Sequence, residues 1–243
     1  MPGVFNILVA MMDGALHKVT VMQLLGPSLD KVAHELRSLG DARLRRERVR
    51  RLGASVIDIV AGVHRRGLVV RDVKPHNFCS DTEHEDRLFM VDFAMIDFHS
   101  ERVAWCGTPD FTSGRMLESE GEASMSYRDD LEGVLYVLLY VELGDLPWEA
   151  LSFDGASRTN TWTPARLLAM ACRRDSLLAS LRGDGLLPSW FDELLDYARR
   201  LPAGTVPDWP YVRLRFTDGE GPMVKGLRAM RARAAAAAPS GDP

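Results

Sequence analysis

The chain has 243 residues and a formal net charge of −4, with 46% hydrophobic and 26% charged residues. That length builds one domain with a substantial core, or a core with a small appendage, and the absence of a basic excess argues against general nucleic-acid or membrane-surface binding. Three widely separated cysteines, Cys79, Cys106 and Cys172, form neither a disulfide framework nor a zinc spacing, so a reducing, intracellular (cytoplasmic or nuclear) setting is expected.

The segment Met1-Pro2-Gly3-Val4-Phe5 has no charged region followed by an apolar run, and so no signal peptide is expected. Residues 3–25 read as two strands around a turn at Asp13-Gly14, the second rich in β-branched residues from Lys18 to Met22. Gly26-Pro27-Ser28 breaks that strand, and Ser28 is placed to cap a helix running through Leu36. Residues 44–66 read as a long helix, with Leu52, Val56, Ile59, Val60 and Val63 on one face. A loop carries Arg71 to Asn77. Short strands follow near Phe78-Cys79 and Leu88 to Val91, then an irregular stretch to about Ser126, then helices to about residue 217. The apolar run Leu131–Leu143 contains Glu132 and is too short to span a bilayer, so it reads as a buried helix. The tail from Arg231 to Pro243, with its alanine run, reads as disordered.

The chemistry concentrates in Arg71-Asp72-Val73-Lys74-Pro75-His76-Asn77 and Val91-Asp92-Phe93-Ala94. Phosphoryl transfer asks little covalent work of a protein. It needs a carboxylate to orient and deprotonate the attacking hydroxyl, oxygen ligands for Mg²⁺, and positive charge on the transferring phosphate. Asp72 and Asn77, five residues apart, have the spacing of a base and a metal ligand, with Lys74 between them for the phosphate charge. Asp92, after the apolar run Leu88–Val91, fits the second metal ligand. A surface turn would account for any one of these residues. It does not account for a preceding helix, a following strand pair and an Asp-Phe at this distance together.

Arg71 to Phe78 resembles the catalytic loop of the casein kinase 1 family. Val21-Met22-Gln23-Leu24-Leu25-Gly26-Pro27-Ser28-Leu29 resembles that family's hinge, and Gly107-Thr108 the end of its activation segment. Arg128-Asp129-Asp130-Leu131-Glu132 with Leu143 to Trp148 resembles its central buried helix, and Pro207 to Arg213 its last helix. The resemblance runs in order over roughly residues 3–216. It implies an α+β, mostly α, protein-kinase-like fold: residues 1–22 a remnant of the N-lobe strands, 23–28 the hinge, 29–217 the helical C-lobe and 218–243 an extension. It further implies ATP and Mg²⁺ as cofactors and transfer to the hydroxyls of a protein substrate. Asp72 would be the base, Lys74 the phosphate partner, and Asn77 and Asp92 the Mg²⁺ ligands. Leu25 would offer its backbone to adenine, with Met22 at the back of the pocket, Cys79 under the ring and Ser28 at the ribose. Asp130 would brace the catalytic loop, and Thr108 would sit near Asp72.

Several features depart from the family. Ala94 stands where glycine usually follows Asp-Phe, and Val70 where His or Tyr usually precedes Arg71. Ser100 is the only hydroxyl between Asp92 and Gly107, and a solvated loop serine is its simplest reading. No G-x-G-x-x-G occurs, and Lys18, the only lysine before the hinge, reads as a solvated residue beside the strand turn. A missing N-lobe would leave Phe5, Ile7 and Leu8 for a partner to cover. The readings in order are a serine/threonine kinase given as a fragment, a pseudokinase or scaffold module, and a small-molecule kinase of the aminoglycoside-phosphotransferase type. Lys74-Pro75 and the run from Arg128 to Glu132 argue against the last.

Overall fold

The structure, a computed structural model, describes residues 4–12, 15–98, 107–119, 123–148 and 163–219, with residues 4–18 and Thr20 described by backbone alone. The expectations for the Asp13-Gly14 turn, Ser100, Cys106, the tail 231–243 and the side chains of Phe5, Ile7, Leu8 and Lys18 lie outside the described residues.

Strands β1 (Val4–Met12) and β2 (Ala15–Met22) pair antiparallel, from Val4 opposite Met22 to Met12 opposite Ala15. Lys18 stands opposite Val9 inside this ladder, not beside the turn as its sequence neighbours suggest. The break at Gly26-Pro27-Ser28 leads into α1 (Leu29–Ser38), two residues longer than expected, which buries Leu29, Val32, Ala33 and Leu36 on one face. Ser28 occupies the N-cap position, but its side chain makes no capping bond; its carbonyl instead accepts from the amides of Lys31 and Val32. Asp41 does cap α2 (Ala42–His64) by accepting from the amides of Arg43 and Leu44, so this helix starts and ends two residues earlier than the apolar pattern alone indicates. Leu52, Val56 and Val60 are buried, with Ile59 and Val63 packed at the edge of the core.

Two small ladders frame the loop that follows. β3 (Leu68–Val69) pairs with β6 (Asp97–Phe98), and β4 (Phe78–Ser80) pairs with β5 (Leu88–Met90). The stretch expected to be irregular up to Ser126 therefore contains β6, a 3₁₀ turn at Pro109–Phe111 and the short helix α3 (Gly114–Glu118). The helices then dominate as expected: α4 (Tyr127–Leu143), α5 (Pro164–Gly183), α6 (Ser189–Arg200) and α7 (Trp209–Asp218). α4 is buried on nearly every side, as its long apolar run requires, and packs against α1, α2 and α6. No helix among the described residues is long and apolar enough to cross a membrane.

The far end of α4 carries a carboxylate, Glu142, that the fold only partly exposes to water. Glu142 accepts from Trp190 Nε1 at 3.0 Å. Burial pushes its pKa up to about 7, against the lowering pull of the Trp190 bond and of Arg45, Arg46 and Arg50. The fold thus favours the protonated acid. Its contribution to stability is complete below the ordinary carboxylate range and is lost as pH rises through about 7. Raising the pH from about 5 to about 8 should cost the wild-type chain about 1–3 kcal/mol from this group. Glu142→Gln should flatten that part of the profile; equal slopes in denaturant melts of the two proteins would contradict the assignment.

Candidate active site

The loop between β3 and β4 holds the predicted chemistry, and its backbone is not free to relax. Arg71 has φ +73°, a left-handed conformation that costs a non-glycine residue about 1 kcal/mol unless its surroundings hold it. Asp130, in the first turn of α4, supplies that restraint. Its Oδ2 accepts from the Val70 amide at 2.6 Å and its Oδ1 from the Arg71 amide at 2.8 Å. His64 Nε2 lies 3.0 Å from the same Oδ2, with both side chains essentially buried. Three donors, from α2 and the loop, thus converge on one carboxylate. The resemblance pointed to the bracing contact; nothing in the sequence singled out His64, whose only signal was its place four residues after Val60 on the core face of α2.

Asp72 follows directly. Its Oδ1 accepts from Thr108 Oγ1 at 3.1 Å, and its Oδ2 faces Lys74 Nζ at 2.6 Å. The Asn77 side-chain amide donates to the Asp72 carbonyl at 2.9 Å, with a weaker approach to Oδ2 at 3.4 Å. That leaves Asn77 Oδ1 as the acceptor on a residue that is only 6% exposed. Pro75–Asn77 forms a 3₁₀ turn, with the Asn77 amide donating to the Lys74 carbonyl, so the sequence spacing becomes a fixed constellation. Gly107 approaches from the other side with φ +127°; a Cβ there would sit 2.9 Å from the Arg71 carbonyl and 3.4 Å from Asp72 Oδ1. Only glycine permits both the angle and the approach.

Asp92 is brought beside Asn77 by the bond from the Val91 amide to the Asn77 carbonyl at 2.8 Å. It is exposed and has φ +60°, and its Oδ1 accepts from the Ala94 amide at 3.3 Å. The left-handed residue is therefore Asp92, not position 94. Among the described non-glycine residues only Arg71 and Asp92 have positive φ, so this backbone places no glycine requirement on Ala94.

The segment Gly26-Pro27-Ser28 is zipped to β4. The Gly26 amide donates to the Ser80 carbonyl at 2.8 Å, the Ser80 amide to the Pro27 carbonyl at 2.9 Å, and Ser28 bridges Cys79. A Cβ on Gly26 would meet Ser80 Oγ at 2.7 Å, so this close approach needs glycine. Met22, Leu25, Ser28 and Cys79 are all half-buried, whereas Leu24 is 87% exposed. Burial, reinforced by the Asp30 carboxylate and opposed by Lys31, pushes the Cys79 thiol up. It therefore stays protonated and acts as packing rather than as a nucleophile. Asp30 was not singled out from the sequence. Its Oδ1 is buried without a partner among the described residues, and its Oδ2 lies 3.6 Å from His76 Nε2.

A second buried carboxylate supports the wall beyond Thr108. Glu132 Oε1 accepts from the Gly114 amide at 3.0 Å and from Arg199 at 3.1 Å, tying α3, α4 and α6 together. Asp129 accepts from Ser113 at 2.7 Å and from the Ser126 amide at 2.8 Å. The carboxylates at the start of α4 are thus spent on holding the neighbouring loops and helices in place.

No protein-family model matches the chain. It is 26% identical over 223 residues to casein kinase I homolog 1 of Schizosaccharomyces pombe, covering 83% of this chain and 45% of that protein. It is 27% identical over 217 residues to casein kinase I homolog 2 of the same organism, covering 84% of this chain and 46% of that protein. The chain thus spans less than half the length of these curated relatives. The similarities support a casein kinase 1-like protein kinase family, in agreement with the resemblance read from the motifs.

Proposed function

We propose that this casein kinase 1-like chain carries the catalytic lobe of a serine/threonine protein kinase, which transfers the γ-phosphoryl group of ATP to protein hydroxyls. The observation that carries this reading is the Asp72 carboxylate, held between Thr108 and Lys74 over a loop that also presents Asn77. Asp72 is oriented to accept the hydroxyl proton, and Lys74 is within reach of the same reacting centre.

The residues fit the cofactors that this reading requires. Asn77 Oδ1 and the exposed Asp92 carboxylate form an oxygen-only donor pair, the kind Mg²⁺ prefers when phosphate and water complete its shell. Bound there, the metal would neutralise charge on the phosphates. In this reading Leu25 offers backbone groups at the hinge, the half-buried Met22 and Cys79 side chains flank the adenine, and Ser28 with Asp30 offers acceptors for ribose hydroxyls. In this reading residues 1–22 belong to the N-lobe sheet, 23–28 are the hinge and 29–217 the C-lobe.

The test is transfer of labelled γ-phosphate to a serine-containing protein in the presence of Mg²⁺, together with calorimetric titration of Mg-ATP. Asp92→Ala should weaken Mg-ATP binding by at least about tenfold, as expected for loss of one charged contact, and should leave metal-free ATP binding unchanged. Unchanged Mg-ATP affinity would remove Asp92 from the metal. Nucleotide binding without any transfer would replace the enzyme reading with that of a binding or scaffold module.

A further inference from the structure

The first three turns of α2 read Ala-Arg-Leu-Arg-Arg-Glu-Arg-Val-Arg-Arg, with six arginines between positions 43 and 51 in a chain whose net charge is −4. A core-facing helix needs no such density. Val49 and Leu52 already serve the core, and an exposed face is normally made soluble by charges of both signs. Arg43 and Arg46 are exposed and have no carboxylate within ion-pair distance among the described residues. Arg50 is half-buried and gives its guanidinium to the Gly219 carbonyl; it makes no direct ion pair among the described residues, and its charge, like that of Arg46, is felt by the protonation-prone Glu142.

This stripe runs into an open groove of about 660 Å³ between α2, the β4–β5 hairpin and α7, lined by none of the catalytic-loop residues Arg71 to Asn77. Arg50, Arg51, Arg87 and Arg213 line it against only two carboxylates, Asp58 and Asp86. Arg51 pairs with Glu47 and lies 3.2 Å from Asp86, Arg48 pairs with Glu85 and Asp86, and Arg213 lies 3.3 Å from Asp58, which leaves Arg43, Arg46, Arg50 and Arg87 without a close carboxylate pair among the described residues. Arg87 is mostly exposed over the Phe89 ring and reaches Asp81 only at 3.7 Å. Between the charges lie Ala54, Ile59 and Leu88.

We propose that this groove and its arginine stripe dock an acidic segment of another polypeptide, with carboxylate or phosphate side chains alternating with apolar ones. Two facts select this occupant. The chain's own residues after Gly219 carry Lys225, Arg228, Arg231 and Arg233 against Glu220 and Asp242, so they are basic and would be repelled. Asp58 and Asp86 inside the groove oppose a continuous phosphate backbone, whereas separate acidic side chains can settle between them on Arg50 and Arg87. The site lies outside the proposed phosphoryl-transfer centre and stands or falls independently of it.

The test is fluorescence anisotropy of the whole chain with a short labelled peptide of alternating glutamate and leucine. Its glutamine counterpart and a single-stranded oligonucleotide serve as comparisons. The acidic peptide should bind, with an affinity that falls steeply as salt is added. Arg50→Glu/Arg87→Glu should weaken it by at least about tenfold. Arg43→Glu/Arg46→Glu, on exposed residues whose replacement leaves the packing intact, should weaken it several-fold, so the test survives if the first variant folds poorly. Equal binding of the glutamine peptide, or an affinity that neither pair of substitutions changes, would overturn the proposal. So would tighter binding of the oligonucleotide with the same arginine dependence, which would make the surface a nucleic-acid face.

Discussion

Asp130→Ala is expected to lower the melting temperature by roughly 5–15 °C, the equivalent of about 3–5 kcal/mol in a domain of this size. The loss comes from what the substitution leaves behind. The Val70 and Arg71 amides and His64 Nε2 would each lose the carboxylate they now approach, in a place that water enters only if the loop opens. Arg71 would lose the contact that holds its left-handed backbone, and it would relax toward an ordinary φ, carrying Asp72 with it. Asp130→Asn is a sharper probe because it keeps the volume. An amide offers one acceptor oxygen and points two hydrogens at donors, so most of the stability should still be lost. Hydrogen exchange at the Val70 and Arg71 amides should accelerate in both variants before global unfolding does. Unchanged melting and unchanged exchange would show that the loop is held by something other than this carboxylate.

The path from sequence to site was short where chemistry imposes spacing and long where tertiary contacts decide. The helix periodicity of α2 and the apolar run of α4 were readable because burial demands those patterns over many residues. Asp72, Lys74 and Asn77 were readable as a set because a tight turn leaves few other spacings, and the structure brings all three together. Ser28 shows the limit. A serine before a helix usually caps it, but here the residue is also committed to a bridge with Cys79, and its side chain caps nothing. Ala94 shows a second limit, since the unusual dihedral sits two residues earlier at Asp92, and a motif comparison cannot tell which position carries the strain. His64, Asp30 and Glu132 are not legible as parts of the site because each meets its partners across a long sequence separation. A lone polar residue within an apolar pattern does not say what it meets. The register of Lys18 within the hairpin depended on where the turn began, and neighbouring residues alone do not set it.

Under the proposed activity, Asp72→Asn should reduce kcat by about 10²–10⁴-fold, the usual contribution of a positioned general base. The geometry makes this a nearly clean subtraction. The asparagine side chain is isosteric, and its oxygen can keep the bond from Thr108 Oγ1, now 3.1 Å long. The main-chain carbonyl that anchors Asn77 is untouched, so the loop should stay in place. What changes is the second oxygen. It faces Lys74 at 2.6 Å, in a pair whose side chains are 11% and 24% exposed, and an amide NH₂ there can neither accept a proton nor attract the ammonium. Lys74 should therefore turn away from position 72 toward solvent or phosphate. Affinity for ATP should be unchanged or slightly improved while kcat falls, and the melting temperature should move little. That division between kcat and KM distinguishes a base from a residue that merely shapes the pocket, which would raise KM for ATP or protein substrate and lower stability with it. Lys74→Met makes the converse case. It keeps the carboxylate but removes its partner, so transfer should fall through lost charge on the phosphate even though Asp72 remains able to accept a proton. If Asp72→Asn instead retained activity within a few-fold of wild type, the hydroxyl proton would have to leave by another route, and the loop's carboxylate would be structural only.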